Sequence, residues 1–313
     1  MKRTYIKLAV ALLALVLVCG LCGCGGKAKN VDINATNFPD QFFRNYVAEK
    51  ADSNKDGLLS AEEIAAVTEM VLYYKDIASL QGIEFFTALK ELQCDENQLE
   101  ELDVSKNTEL ETLICLNNHM AKLDVSKNTK LKTLFCNNNE LQTLDISNNI
   151  NLIELDCGYN QLAALDVSKN PNLVLISVDN NQLKALDTGK NRDLNVLWCY
   201  SNQLTEMDVS GNVNLTELLC YENQISQLDI SANIHLESLF CYSNKLTALD
   251  VSNNTKLQKL SCWGNQLTSL DISNNTALVG LNCRENKLTE LDVSQNALLM
   301  DIFYDEDTVT LIR

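Results

Sequence analysis

The sequence predicts a repeat solenoid, a stack of near-identical turns, preceded by a small helical cap. Three observations predict it. Asparagine recurs every 21 residues, at Asn97, Asn118, Asn139, Asn160, Asn181, Asn202, Asn223, Asn244, Asn265 and Asn286. A leucine frame repeats in phase around each, L-x-x-L-x-C-x-x-N-x-L-x-x-L-D-V-S-x-N-x-x, in ten copies over residues 89–298. No insertion breaks the period, so each copy is one unit that buries its apolar face against its neighbours.

Composition narrows the function. Apolar residues make up 46% of the 313-residue chain, enough for a core. The formal charge of −17 and pI near 4.5 oppose nucleic-acid binding, which needs a basic face to neutralise phosphates.

Residues 1–23 read as an export signal. Lys2, Arg3 and Lys7 form a basic start, and Leu8 to Val18 is an unbroken apolar run of 11 residues. That length suits a signal core and is too short to span a bilayer as a helix. Leu21-Cys22-Gly23-Cys24 resembles the bacterial lipobox, an aliphatic residue and a small one ahead of the acceptor cysteine. The resemblance implies cleavage before Cys24 and its acylation with diacylglycerol, with residues 24–36 as the tether. Ordinary signal cleavage nearby is the alternative. A diacyl anchor supplies the two chains that stable membrane attachment needs.

Residues 37–70 read as a helix-loop-helix. Asn37 to Asp40 make a helix start with Pro39 in the first turn, and Phe42, Phe43, Tyr46 and Val47 form an apolar face. Residues 52–63 match an EF-hand loop. Asp52, Asn54 and Asp56 supply side-chain oxygens, Gly57 permits the sharp turn, and Leu58 offers its carbonyl. Ser60 ligates or holds a water, and Glu63 gives a bidentate carboxylate. A hard cation such as calcium takes six or more oxygens at about 2.3–2.6 Å, which this spacing delivers. The exit helix is expected from Ala61 to about Met70. No second loop of this kind exists in the sequence, so one structural calcium is expected, not a paired switch. The alternative is a solvated Asp/Asn turn ahead of a helix.

The array follows. A 22-residue capping turn over 67–88 uses Val67, Met70, Leu72, Ile77, Leu80, Ile83 and Phe86, with Lys75 in the asparagine place. A partial turn over 299–313 uses Leu299, Ile302, Val309 and Ile312, with Asp307 in that place and Tyr304 in the cysteine place. The first eleven positions of the frame resemble the leucine-rich-repeat signature, in which a short parallel strand precedes an asparagine turn. The resemblance implies a curved leucine-rich-repeat solenoid, with a parallel β-sheet on its concave face and little convex helix. It also implies that the position-9 asparagine is buried and hydrogen-bonded to loop backbone. The calcium loop followed by this array resembles surface leucine-rich-repeat lipoproteins of bacteria, and more loosely the internalins. That places the protein outside the cytoplasm, anchored at the cell surface.

Inward leucines at positions 1, 4, 11 and 14 and Val or Ile at 16 form the core. The position-15 aspartates, such as Asp103, Asp124 and Asp145, point outward and accept backbone N–H groups at the turn ahead. A metal ladder is the alternative, but each turn offers only one such carboxylate. Nine of the twelve cysteines share position 6, and the fifth copy has Val178 there. An odd number on inward strand sites, with valine accepted, reads as buried thiols serving as small hydrophobes rather than disulfides or a metal site. Free thiols in an exported protein point to an oxygen-poor habitat.

Outward positions 3, 5, 7 and 8 carry the variation. All eight aromatics of the ten copies fall at 5, 7 or 8: Phe135, Tyr159, Trp198, Tyr200, Tyr221, Phe240, Tyr242 and Trp263. Tyr200, Tyr221, Tyr242 and Trp263 share position 7, and Trp198, Leu219 and Phe240 lie beside them at position 5. Such a contiguous patch is expected to bind a ligand, with mutual packing as the alternative. Glu217, Glu222, Glu285, Lys259 and Arg284 are its polar neighbours. Catalysis finds no support, because the only histidines, His119 and His235, lie in distant turns and no nucleophile or phosphate motif appears. The expected function is recognition of a protein or peptide partner. A glycan-binding lipoprotein and a structural surface spacer are the alternatives.

Overall fold

The computed structural model describes residues 30–313, so the expectations for the export signal and Cys24 lie outside the described residues. The cap contains strand β1 (Val31–Asp32), helix α1 (Gln41–Lys50), strand β2 (Leu58–Leu59) and helix α2 (Ala61–Ala66). Twelve three-residue strands then form one parallel sheet in unbroken chain order, from Glu69–Val71 to Gly280–Asn282 and on to Asp301–Phe303. Met70 pairs with Leu92 across the longer capping turn, and from Leu92–Leu113 to Leu281–Ile302 each partner lies one 21-residue copy ahead. Beyond α2 the described residues contain one helical segment, the 3-10 turn Ile83–Phe85. The side opposite the sheet therefore consists of consecutive reverse turns, and the chain is a leucine-rich-repeat β-solenoid.

The core is a column of leucines at positions 1, 4 and 11, joined by Val or Ile at 16 and the position-6 cysteines, all essentially buried. Each layer meets only the layers above and below it, so the column extends without thickening.

The asparagine at position 9 ties these layers together. Asn118 shows the pattern: its Nδ2 donates to the carbonyls of Cys94 in the preceding turn and of its own Cys115 and Leu116 at 3.0–3.2 Å. Its Oδ1 accepts the Leu99 N–H of the preceding turn at 3.0 Å. One side chain thus satisfies backbone groups of two layers. A second asparagine ladder, at position 19, is fully buried. Asn128 donates to the carbonyls of Val104 and Asn107 in the preceding turn at 3.0 and 2.9 Å. The Oδ1 atoms of nine such asparagines have no hydrogen-bond partner. Asn212 differs because Thr188, standing where other copies have Val or Ile, donates its hydroxyl to it at 2.8 Å.

Between strand and asparagine, position 8 is left-handed in all ten copies. Its φ is +55° at Glu96, +54° at Asn117, +51° at Tyr159 and +63° at Gly264. Only the last is glycine, so several turns hold ordinary residues in a conformation costing on the order of 1 kcal/mol, offset by the asparagine hydrogen bonds that follow.

The position-15 aspartates behave as expected. Asp103 Oδ1 accepts the Ser105 N–H at 2.9 Å, and Asp145 does the same with Ser147. In the fifth copy Gly189 replaces the serine and Asp187 accepts its N–H alone.

The cap docks through α1. Asp40 is its N-cap, accepting Phe43 N–H at 2.9 Å, and its other oxygen accepts Ala78 N–H of the capping turn. Pro39 precedes the N-cap rather than entering the first turn. Phe43 and Val47 are buried, but Phe42 is exposed, because the array covers a narrower stripe of the helix than the apolar run suggested. The Tyr46 hydroxyl accepts Val71 N–H from the first strand, covering part of the sheet's free edge. The exit helix stops at Ala66: Val67 is extended, and Met70 is claimed by the first strand of the sheet. At the far end Leu311, not Ile312, opposes Leu291, and Ile312 is exposed. A one-residue shortening of that turn moves the register and swaps the faces. Asp305, not Asp307, accepts an N–H from the preceding turn, that of Glu285.

Serine donors hold the position-15 carboxyls of nine copies below the ordinary aspartate range, with the Ser105 backbone N–H the largest cause at Asp103. A lowered folded pKa adds stability that is present above the unfolded value near about 4 and is lost as pH falls through the folded value. The triple variant Asp124→Asn, Asp145→Asn, Asp166→Asn keeps the acceptors but cannot titrate. Its melting temperature is expected to fall less than wild type between pH 6 and pH 3; an equal fall contradicts this origin.

Candidate binding face

The parallel register carries position 7 into line. Tyr200 and Tyr221 stack at 4.3 Å between centroids, Tyr221 and Tyr242 at 4.2 Å, and Tyr242 and Trp263 at 4.9 Å, with interplanar angles of 10–13°. These separations match the spacing of neighbouring strands, so the stack needs no distortion of the sheet. Trp198, Leu219 and Phe240 pair on consecutive strands beside it. All seven residues expected to bind therefore come together on one face.

Their exposure differs from the expectation. The stacked rings cover one another: Tyr200 is only 8% exposed, and Tyr221, Tyr242, Trp263, Trp198, Leu219 and Phe240 are half-buried. The inner ring faces are turned to neighbouring rings rather than to solvent. Burial, followed by the neighbouring Tyr221, pushes the Tyr242 phenol up, and burial does the same to Tyr221. Trp198 Nε1 donates to Glu217, and Ser201 donates to Glu222. Two of the expected polar neighbours thus brace the ladder.

Sequence reasoning passed over Asp179 at one end of the ladder and Phe303, beside the expected neighbour Arg284, at the other. In the turn before Tyr200, position 7 is Asp179, fully buried, with Oδ1 accepting Ser177 Oγ at 2.8 Å and Oδ2 accepting Asn180 Nδ2 at 3.0 Å. A Cβ on Gly158 would stand 2.7 Å from Asp179 Oδ1, so that glycine makes room for the carboxylate. Beyond Trp263, the Arg284 guanidinium lies 5.0 Å from the centre of the Phe303 ring. Phe303 continues the position-5 row, a signal readable in the frame but hidden by the irregular last turn.

The calcium-loop residues are placed as follows. Asp52 Oδ2 accepts Gly57 N–H at 2.9 Å, Asn54 Oδ1 accepts Asp56 N–H, and Asp56 Oδ1 accepts Leu58 N–H. Gly57 has φ +81°, the turn its identity implied. Leu59 pairs with Val31 through β1 and β2, so an N-terminal strand packs where a paired loop would supply one. Glu63 Oε1 accepts from Ser53, and Oε2 accepts from Ser60 in a capping box, which draws its carboxyl down to about 2. Among the described residues no group of three His, Cys, Asp or Glu is arranged to hold a metal ion. None of their helices is long and apolar enough to cross a membrane.

These features define the class, a leucine-rich-repeat solenoid with an aromatic ladder on its open sheet face. No protein-family model matches the chain. Internalin J of Listeria monocytogenes serotype 4b is 38% identical over 71 residues, 23% of this chain and 8% of that protein. The functional domain of InlJ from Listeria monocytogenes, described as including a cysteine ladder, has a TM-score of 0.86 and 36% identity, covering 89% of this chain and 62% of the other. An internalin, InlF, from Listeria monocytogenes has a TM-score of 0.72 and 23% identity, covering 91% and 94%. A plant peptide hormone receptor, RGFR1, solved in complex with RGF2, shares the fold at a TM-score of 0.64 and 20% identity over 74% and 41%. The repeat array is similar to that of InlJ, and the chain spans less than two thirds of the InlJ chain and under a tenth of the curated internalin J.

The nine position-6 cysteines are free and buried, and burial raises their thiols, that of Cys283 to about 12. They are expected to resist a thiol reagent in the native protein and to react after denaturation. Few reactive thiols on denaturation would contradict a reduced ladder.

Proposed function

We propose that the protein is a non-catalytic cell-surface binding protein that recognises a protein or peptide partner through the open sheet face. The observation that supports this is the ladder of Tyr200, Tyr221, Tyr242 and Trp263, which interrupts an otherwise uniform repeat in successive turns. A spacer needs no such interruption. A glycan ring stacks on an aromatic face, and here the inner faces are consumed by neighbouring rings. A half-buried row of tyrosines and a tryptophan suits the mixed apolar and polar surface of a polypeptide. The plant peptide hormone receptor noted above, which shares the fold, was solved in complex with RGF2.

Tyr221→Ala combined with Tyr242→Ala opens the stack while leaving the inward leucines in place. The double variant is expected to lose capture of the wild-type partner in an unbiased surface-protein binding screen, paired with a glycan array. Undiminished capture, or retention of glycans alone, overturns the protein-binding reading.

The protein is also proposed to carry one structural calcium. The donor set is entirely oxygen, from Asp52, Asn54, Asp56, the Leu58 carbonyl, Ser60 and Glu63, which suits a hard cation. Asp52 is buried, and a buried carboxylate is costly without a compensating charge, whereas Glu63 is already satisfied by Ser53 and Ser60. Calcium binding would require Glu63 to turn from its serine donors. Calcium is expected to raise the melting temperature and Glu63→Gln to abolish that rise; identical melting in calcium and chelator rejects the site. Lipid anchoring at Cys24 is proposed from the lipobox alone, and palmitate labelling that persists in Cys24→Ala would reject it.

A further inference from the structure

At the Trp263 end of the ladder the open face dips. Phe240, Ser261, Asn282 and Phe303 occupy the same place on four neighbouring strands, so two small residues lie between two rings. Three strand steps put those rings roughly 14 Å apart. The notch they bound has a volume of about 240 Å³ and a mostly apolar lining, with Lys259 and Asp301 at its rim. Small-molecule pockets run from about 300 to 1,000 Å³, so this one is the size of a side chain.

Gly280 keeps the notch open. A Cβ built on it meets nothing within 4 Å, and its φ is not left-handed, so the backbone does not require glycine there. Earlier copies place Leu175 and Val196 at the same position of the frame. Phe303, the far wall, is held by the Arg284 guanidinium stacked on it.

Charge identifies what approaches. From the ladder to the notch the accessible charges of the open face are the carboxylates of Glu217, Glu222, Glu285 and Asp301, against Lys259 and Arg284. An extended segment crossing the ladder into the notch meets mainly carboxylates.

We propose that the notch anchors one large apolar side chain, phenylalanine- or leucine-sized, of a basic, extended segment of the partner protein. This rests on the reading of the open sheet face as a protein-binding surface. The probes are short synthetic peptides rich in lysine and arginine with a central Phe, Leu or Ala, and a matched acidic set. Basic Phe and Leu peptides are expected to bind the protein about tenfold more tightly than the Ala peptide, and the acidic set weakly. Gly280→Val, which puts the Val196 side chain's equivalent into the notch, is expected to erase that preference, with Gly280→Ala intermediate and both melting like wild type. No binding by basic peptides, no preference for Phe or Leu over Ala, or an unchanged preference in Gly280→Val overturns the proposal. If Gly280→Val still captures the partner and the Tyr221→Ala, Tyr242→Ala variant does not, the notch assignment fails while the ladder reading stands.

Discussion

The structure depends on one repeated constraint: a short side-chain amide that satisfies backbone groups in two layers at once. Asn118 bonds the carbonyls of Cys94 and Cys115 and the N–H of Leu99, and its counterparts do the same along the array. Leaving a buried polar group unpaired costs roughly 1–3 kcal/mol, and each position-9 asparagine satisfies several. Register follows from it. The 21-residue interval keeps each amide in the same place against its neighbours, and the 22-residue capping turn is accommodated because Asn97 Oδ1 accepts the N–H groups of both Lys75 and Ile77. Variation at the outward strand positions does not disturb the amide.

Fixed register converts a sequence coincidence into a surface. Four aromatics at one frame position become a stack with centroids 4.2–4.9 Å apart because the strands are already that distance apart. The same register lines up the cysteines inward as buried thiols. It also brings Phe240 and Phe303 to opposite sides of Gly280, although they are 63 positions apart in the chain and one lies in the irregular last turn.

Most of the fold was legible because the frame reports inward and outward directly. The leucine column, the position-9 asparagines, the Asp–Ser turns and the longer capping turn all follow from it. The position-19 asparagines were visible as a repeat, but nothing in the pattern distinguished a buried amide from a turn residue. The left-handed position 8 was hidden because Glu, Tyr and Ser stand there in six copies, outweighing the hint from Asn117, Asn138, Asn180 and Gly264. Errors gathered at the ends, where one neighbour is missing: the exit helix yields to the first strand at Met70, and Ile312 faces solvent. On the binding face the sequence located the aromatics, but alternation alone does not reveal that they cover one another. Neither the mutual burial of the rings nor the buried Asp179 beside them is a property of a single turn.

Whether the asparagine amides hold adjacent layers together is read directly by native-state hydrogen exchange. The Leu141 N–H, which donates to Asn160 Oδ1 at 2.9 Å, lies in a turn rather than a strand of the sheet. It is predicted to exchange as slowly as the strand amides of the same layer, and to lose that protection in Asn160→Ala before distant layers do. Exchange of Leu141 at the rate of exposed turn amides in the wild-type protein would contradict the account.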